Sequence, residues 1–406
     1  MLVRFLENCR GGVAPLMGIL ALPLMGSVGV AVDYSRANAA RAAMQGALDS
    51  TVLFLVKQAA SGADVSGQAQ QIFGALFARP EVLNVSVNVN SSGGSASANV
   101  SLTASGAVMT TFLGVLGYST LNITTQSNAY SSNDSSGCVL ALDSTAAGAA
   151  SASGSSTVSL KDCSLYSNSN SESSLTAGGS TTVSASIIGV VGGVSLSGSN
   201  VTTTEGIRTG VPQISDPYID VTFPSYSGCT QNNLTAKTTI TISPGVYCNG
   251  ISVNANAVLT LNPGIYYIDR GSFDVNGGGK VTGTGVTLVF TSSTGTNWPT
   301  ATINGNAVVS LTPPLSGPTT GIVIFGDRRL PIGTAFKLNG GSDQSLSGAI
   351  YVPTGAINYS GGTSSSMSCT QIIGDTVSFT GNSNVAINCS SYKTRPFGLV
   401  LVRLTS

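Results

Sequence analysis

Residues capable of acid–base chemistry are few in this sequence. Its 406 residues include no histidine, and charged residues make up only 8% of the chain. A Ser-His-Asp or Cys-His relay is therefore excluded, and a zinc site would need cysteines or carboxylates alone. The remaining candidates for acid–base work are Asp327 with Arg328 and Arg329, Asp269 with Arg270, and Asp375.

The Asp327-Arg328-Arg329 cluster has two interpretations. Carboxylates and a basic residue above a groove are what a polysaccharide hydrolase or lyase uses. Alternatively, the three residues follow an apolar run at 322–325 and form a solvated loop after a strand. The loop is favoured, because such an enzyme typically has more Asp and Glu than this chain offers. We expect a protein that is not an enzyme, with no catalytic residue, cofactor or metal.

Aromatic residues in the second half of the chain suggest a different ligand. Such side chains stack on sugar rings, which makes surface glycans a candidate partner. More often they pack in a core, and the sequence favours this for Tyr247, Tyr266, Tyr267, Tyr351 and the single Trp298. Nucleic acid is not expected as a partner, because 17 basic and 17 acidic residues cancel and offer no basic patch.

The cysteines fall on two sides of a long apolar run. Cys9 precedes the run and six cysteines follow it. An even number, without CxxC spacing or histidine, favours disulfides in an oxidising, exported compartment over a metal site. Fifteen pairings are open, and pairing of sequence neighbours is the simplest. The disulfide candidates are Cys138, Cys163, Cys229, Cys248, Cys369 and Cys389.

The apolar run itself covers residues 12–32 without a charge. This length is enough to cross a bilayer as a helix, so a lipid bilayer is an expected partner. Arg4 and Arg10 precede the run and Asp33 follows it, which favours a cytoplasmic N-terminus and a translocated body. A cleavable signal peptide is the alternative, with a small-residue cleavage site at 29–31. The length of the run favours a retained anchor.

Helical periodicity continues beyond the run to about residue 60. One stripe recurs at three- and four-residue spacing and contains Ala37, Ala40, Met44, Ala47, Leu48, Thr51 and Leu55. A helix from residue 12 to 60 would be about 70 Å long. The stripe would pack against partner helices or against the protein's own next domain, and the second is slightly favoured. Residues 1–60 are expected to form a membrane anchor and an amphipathic stalk.

A small α+β membrane-proximal domain is predicted over residues 61–130. It would contain a helix over 63–80, a hairpin of strands at 82–89 and 96–104, a short apolar helix over 107–116 and a strand at 120–125. A polar linker at 131–137 would lead from this domain into the body.

Short apolar strands separated by Gly, Asn and Ser fill residues 138–395. One repeat is plain, since Ser243-Pro-Gly-Val-Tyr247 recurs 19 residues later as Asn262-Pro-Gly-Ile-Tyr266. Periods of about 20 residues predict a parallel β-helix, in which sequential cysteines would join adjacent coils. A β-sandwich is the alternative. The fold class is thus mainly β, with residues 138–395 as a β-helix-like repetitive domain.

Several stretches have the character of a known family. Arg10-Gly-Gly-Val-Ala-Pro-Leu16 continues through the apolar run into Val32-Asp-Tyr-Ser-Arg-Ala-Asn-Ala-Ala-Arg41. A second stretch is Met109-Thr-Thr-Phe-Leu-Gly-Val-Leu-Gly117. A third is the opening of the body, Cys138-Val-Leu-Ala-Leu-Asp143, together with its close from Cys369-Thr-Gln-Ile-Ile373 to Cys389. Together they resemble the TadG-like branch of the TadE/TadG proteins of Flp (tight-adherence) pilus assembly, most sharply at the N-terminus.

The resemblance implies partners among other pilus-assembly membrane proteins, bound through the N-terminal helix. Prepilin-type cleavage is not implied, because neither Gly11 nor Gly12 has a glutamate five residues later. Many relatives carry an Asp-x-Ser-x-Ser metal site, but the stretch from Asp143 has Thr145 and Ala147 at the serine positions. No metal is expected there.

Three hypotheses of function follow. The first is a non-enzymatic component of Flp pilus assembly, anchored by one pass in a bacterial inner membrane. Its periplasmic or extracellular β-solenoid would brace the apparatus or contact surfaces. The second is a surface adhesin independent of pili. The third is a carbohydrate-active β-helix enzyme, whose glycan turnover would depend on Asp327 and Arg328.

Overall fold

The structure is a computed structural model that describes residues 13–59, 63–94, 97–133, 137–341, 344–361, 369–386 and 389–405. Arg4, Cys9 and Arg10, which support the predicted topology, lie outside these residues. The chain divides into two compact units. The first is Met1–Asn133 with Val400–Ser406, and the second is Asp134–Leu399.

A long helix and an antiparallel sheet make up the first unit. Helix α1 spans Val13–Ala59 and α2 spans Ala69–Leu76. The sheet has the order β1-β2-β3-β29, with strands Val82–Gly94, Ser97–Met109, Thr120–Asn133 and Val400–Thr405. The predicted long helix is confirmed over its described length. The predicted hairpin is confirmed as well, because β1 and β2 pair antiparallel.

The prediction of a helix over residues 107–116 is wrong for most of that range. Strand β2 continues to Met109, because Val108 and Met109 pair with Leu121 and Thr120 of β3. Only Leu113–Leu116 are helical, as one 3-10 turn in the β2–β3 loop (residues 110–119). Cross-strand pairing therefore overrides the local preference of this apolar run. Helix α2 is also shorter than the predicted 63–80.

One face of α1 packs on the sheet. Its buried side chains include every residue of the predicted stripe, Ala37, Ala40, Met44, Ala47, Leu48, Thr51 and Leu55. On β2 exposure alternates along the strand, and Val100, Leu102 and Ala104 lie in the same core as α1. The stripe thus packs against the protein's own next domain, which was the favoured alternative.

The second unit consists of parallel strands. They form three ladders, each a stack of hydrogen-bonded parallel strands, and the chain passes through the first, second and third ladder in the same order each time. The first ladder contains β4 (Gly137–Ala141), β7 (Ser164–Ser167), β10 (Ile188–Val190), β13 (Ile207–Thr209), β18 (Gly264–Asp269), β21 (Val286–Thr291) and β24 (Ile322–Gly326). The second contains β5 (Ala150–Ala152), β8 (Leu175–Gly178), β11 (Val194–Ser197), β19 (Ser272–Val275), β22 (Thr300–Ile303) and β25 (Thr334–Asn339).

The third ladder lies in two groups of strands. They are β6 (Thr157–Lys161), β9 (Thr182–Ala185) and β12 (Asn200–Thr203), and β15 (Thr239–Ile242), β17 (Val258–Leu261), β20 (Lys280–Gly283), β23 (Val308–Leu311) and β26 (Ser345–Leu346). Longer strands join more than one ladder, namely β14 (Gln231–Ala236), β16 (Gly245–Val253), β27 (Gly348–Gly361) and β28 (Thr370–Ala386). This parallel pairing differs from the β-sandwich alternative, whose sheets are antiparallel.

Left-handed turns between the ladders account for part of the Asn and Gly content. Asn256, Gly278 and Asn306 have φ angles of 64°, 84° and 66°. They are also stacked, since the amide of Asn256 donates to the carbonyl of Gly278, whose own amide donates to the carbonyl of Asn306. Gly adopts this conformation without steric cost and Asn tolerates it, so turn geometry selects these residue types.

Strand order in the ladders differs from chain order. Strand β28 pairs with β27 on one side and with β4, β5 and β6 on the other. The chain therefore enters the stack in its middle. Strand β13 pairs with β10 and the next strand, β14, pairs with β16, so these successive strands lie at opposite ends. Residues 210–230, here called the strap, connect them along the outer face of the first ladder. Strands about 4.8 Å apart make this return path about 48 Å long.

Candidate functional site

The uncovered part of α1 is the first candidate site. Its large apolar side chains are exposed, namely Met17, Ile19, Leu20, Leu24, Met25, Val28, Val30 and Val32. The helix from Met17 to Ala59 is long and apolar enough to cross a membrane. Membrane anchoring fits this exposed segment, which covers most of the predicted span.

The covered face of α1 begins at Gly29 and Asp33. A Cβ atom added at Gly29 would lie 2.7 Å from Cβ of Phe112 in the β2–β3 loop. One helical turn later, the buried carboxylate of Asp33 accepts hydrogen bonds from three amides of the same loop. The donors are Thr111 N at 3.0 Å, Phe112 N at 2.8 Å and Leu113 N at 2.7 Å. The loop is thus fastened to α1 where the exposed segment ends.

The expectation of a solvated loop at Asp327 is wrong for this residue, which is only 3% exposed. Its carboxylate pairs with Arg329 at 2.6 Å and accepts the hydroxyl of Thr291 at 2.7 Å. Burial raises the pKa of Asp327, hydrogen bonds from Arg329 and Thr291 lower it, and the net pKa is below its ordinary value. The carboxylate is therefore fully engaged inside the protein.

Arg328 points to the strap instead of a groove. Its guanidinium donates to the carbonyls of Tyr218 and Val221 and to the hydroxyl of Tyr351. Sequence reasoning missed the strap as a structural element. A usable sign was present in the sequence, since the first-ladder strand β24 is apolar along its whole length, and both β21 and β24 are buried at every position.

Of the other two predicted carboxylates, Asp269 is held by its neighbours and Asp375 lies near a like charge. Asp269 pairs with Arg270 at 3.1 Å and accepts hydrogen bonds from the amide and hydroxyl of Ser293. Burial and the nearby charge of Asp143 raise the pKa of Asp375 to about 6. The described residues contain no group of three or more His, Cys, Asp and Glu side chains placed to hold a metal.

The similarity of Asp143 to a metal-binding start has a local explanation. One of its carboxylate oxygens accepts the amides of Thr145 and Ala146, each at 2.7 Å. Burial raises the pKa of Asp143 and these backbone hydrogen bonds lower it, with a net pKa below the ordinary value. The stretch is therefore a self-capped turn.

The four tyrosines named as glycan or core candidates are buried, which confirms the core interpretation: Tyr247, Tyr266, Tyr267 and Tyr351. Tyr247 and Tyr266 stack one above the other with ring centroids 5.8 Å apart. Trp298 is partly exposed, and the guanidinium of Arg329 lies over its ring. An open polar groove of about 420 Å³ lies elsewhere, lined by polar residues of strands and turns that include Asn306, Asn339, Ser360, Thr380 and Asn382.

Two disulfides join neighbouring strands as predicted from the spacing. Cys138 bonds Cys163 with their Cα atoms 5.7 Å apart, and Cys229 bonds Cys248 with their Cα atoms 5.8 Å apart. The first links β4 to the start of β7, and the second links the strap's end to β16. Cys369 is disulfide-bonded as well. Its pairing with Cys389, whose side chain lies outside the described residues, stays a prediction.

Comparison with known proteins matches the N-terminal region to a family model. Residues 11–54 match the family model Tad, described as Flp pilus-assembly TadE/G-like. No curated protein and no solved structure gives a significant match. The matched residues cover the exposed segment of α1, the Gly29–Asp33 junction and most of the stripe that packs on the sheet. The N-terminal region of this chain is therefore TadE/G-like, the type found in Flp pilus assembly.

Proposed function

We propose that this chain is a non-enzymatic, membrane-anchored component of Flp pilus assembly. The observation that carries the proposal is the division of α1 into two parts within the TadE/G-like region. Met17 to Val32 leave their apolar side chains uncovered, whereas the face from Ala37 to Leu55 packs on the protein's own sheet. Helix α1 would thus anchor the folded first unit to a membrane.

Contacts with other pilus-assembly proteins are assigned to the uncovered segment. The stripe from Ala37 to Leu55 is already buried against β2 and β3, so it is not free to bind a partner helix. Apolar side chains between Met17 and Val32 are exposed and would face lipid or neighbouring helices in the bilayer. Partner binding and membrane anchoring then use the same part of α1.

The body is proposed to be an exported β-solenoid with a cytoplasmic N-terminus before it. Strands visited in a fixed order and stacked in parallel ladders support this architecture. Disulfides support the oxidising compartment, because reducing compartments do not maintain them. Such a body would brace the apparatus or contact surfaces, and the open polar groove near Asn306 and Asn382 is the place for weak glycan contacts.

A non-enzymatic role is favoured by the state of the candidate carboxylates. Asp269 and Asp327 are buried and satisfied by hydrogen bonds and ion pairs, and Arg328 holds the strap. A polysaccharide-cleaving activity that disappears in Asp327→Asn, with the fold retained, would instead favour the carbohydrate-active enzyme.

The experiment is an electron-microscopic count of Flp pili on cells lacking the gene. Complementation uses two forms, the full chain and residues 29–406 exported behind a cleavable signal sequence. We expect pili to vanish in the deletion, to return with the full chain, and to stay absent with the unanchored form. Normal pilus numbers in the deletion would sink the assembly role and leave a pilus-independent adhesin as the better proposal.

A further inference from the structure

We propose that the β2–β3 loop inserts into the same bilayer as α1 and forms a second membrane contact. It would enter the leaflet on the side of the folded body. The inference rests on the membrane anchor proposed above and adds a site to it. Its chemistry is that of a short apolar wedge in the acyl-chain and headgroup boundary.

Exposure of the loop is the first observation. Phe112, Val115, Leu116 and Tyr118 are 50%, 86%, 64% and 66% exposed, and residues 110–119 contain no charge. Large apolar side chains gathered on one short loop are uncommon on surfaces that remain in water. Aromatic residues such as Phe112 and Tyr118 suit the interface, where one end of a ring is apolar and the other is wet.

The position of the loop on α1 selects lipid as the occupant. Phe112 touches Gly29, which lies inside the predicted span of residues 12–32. Asp33, the first charge after that span, binds the amides of Thr111 to Leu113. When α1 crosses the bilayer, this fastening places the loop at the end of the span. Its apolar surface is then continuous with the uncovered surface of Met17 to Val32.

Backbone hydrogen bonding supports insertion of a non-helical segment. A polar backbone group without a partner is costly in an apolar medium. Here the buried Asp33 carboxylate accepts three loop amides, and the loop itself supplies further partners. The internal pairs are Thr110 N with Ser119 O, Val115 N with Phe112 O, Gly117 N with Gly114 O, and Tyr118 N with Leu113 O. The loop therefore meets much of the requirement that excludes ordinary loops from lipid.

The test places a fluorescent probe at the loop tip. Val115→Trp is made in a Trp298→Phe background, so that it is the one tryptophan of the full chain. Leu404→Trp in the same background is the control, since Leu404 is also exposed. It pairs with Ala129, nine residues along β3 from Thr120, which is about 30 Å from the loop. Both proteins are reconstituted in phosphatidylcholine vesicles with brominated acyl chains, and flotation reports anchoring.

We expect both variants to float, with quenched and blue-shifted emission from Val115→Trp and unquenched emission from Leu404→Trp. Flotation without quenching of Val115→Trp overturns the second contact and leaves the anchor intact. Equal quenching of both variants also overturns it, because the contact would not be confined to the loop. Failure to float removes the proposed anchor and the loop contact with it.

Discussion

The guanidinium of Arg328 donates to the hydroxyl of Tyr351 at 3.1 Å, and both side chains also bind the strap. Arg328 reaches the carbonyl of Val221 at 2.8 Å, and Tyr351 donates to the carboxylate of Asp216 at 2.7 Å. Strand β27 and the loop that follows its neighbour β24 thus hold one segment that returns across the stack. The charge cluster that was a candidate for catalysis is in part a fastening of the fold.

Replacing Arg328 is therefore expected to loosen the strap. Arg328→Met leaves the carbonyl of Val221 without its donor and leaves the carbonyl of Tyr218 with the amide of Val221 alone, which we expect to cost about 2 kcal/mol of unfolding free energy. Denaturant unfolding measures the loss, and hydrogen exchange should rise over residues 216–221. Arg208→Met is the control, since Arg208 makes a surface ion pair with Glu205, for which we expect a change below about 1 kcal/mol. Equal losses in both variants would contradict a specific fastening role.

Two glycines of α1 give a matched test of the loop junction. Gly26 has nothing within 4 Å of an added Cβ, whereas Gly29 faces Phe112 at 2.7 Å. Gly26→Ala should leave the protein unchanged or more stable, because Ala is the better helix former by about 1 kcal/mol. Gly29→Ala should displace the β2–β3 loop and cost about 1–3 kcal/mol as an overpacked contact.

Hydrogen exchange of the loop amides in detergent micelles distinguishes the two glycine variants. Faster exchange at residues 111–113 is expected for Gly29→Ala alone. Unchanged exchange in that variant would mean that the loop does not depend on close approach to α1.

Asp375 gives a prediction of pH dependence. Its folded-state pKa of about 6 lies above the ordinary 3.8. Below about pH 4 the carboxyl is protonated in both states and its favourable effect on stability is complete. As the pH rises through about 6, the folded state must ionise this partly buried group beside Asp143, so this contribution is lost.

Asp375→Asn should therefore be more stable than the wild type at pH 7, by on the order of 1–2 kcal/mol. The advantage should vanish near pH 4, as measured by thermal unfolding across that range. Asp162→Asn serves as the control, because Asp162 is an exposed residue of the same unit. An advantage of Asp375→Asn that does not change with pH would contradict the assigned pKa.

The cysteines make a prediction about both fold and topology. Cys138→Ser with Cys163→Ser opens a link between residues 25 positions apart and should lower the unfolding free energy by about 3 kcal/mol. Alkylation of the denatured, unreduced chain followed by mass spectrometry should modify Cys9 alone. Six reactive thiols in the body would contradict an oxidising location.

The sequence by itself determined the long helix, its stripe, the hairpin and the mainly β class. These follow from local physics, since apolar spacing of three and four residues suits a helix face and Asn and Gly suit left-handed turns. The resemblance carried by Arg10 to Arg41 also needed no tertiary information, and the Tad match covers residues 11–54. The pairing of neighbouring cysteines could be predicted because their spacing along the sequence is close to the number of residues in one passage of the chain through the three ladders.

Only the tertiary structure decided the path of the chain and the fate of the charged residues. Pairing of β28 with β4 is a long-range contact, and no local pattern specifies that β13 and β14 lie at opposite ends. The strap is needed because it connects β13 and β14 at opposite ends of the stack. Arg328 is not free for catalysis because the strap lies over it and accepts its hydrogen bond at the carbonyl of Val221. Likewise, Asp33 looked like the charge that ends a membrane span. Its contact with a loop some 80 residues away depends on how β2 and β3 pack on α1.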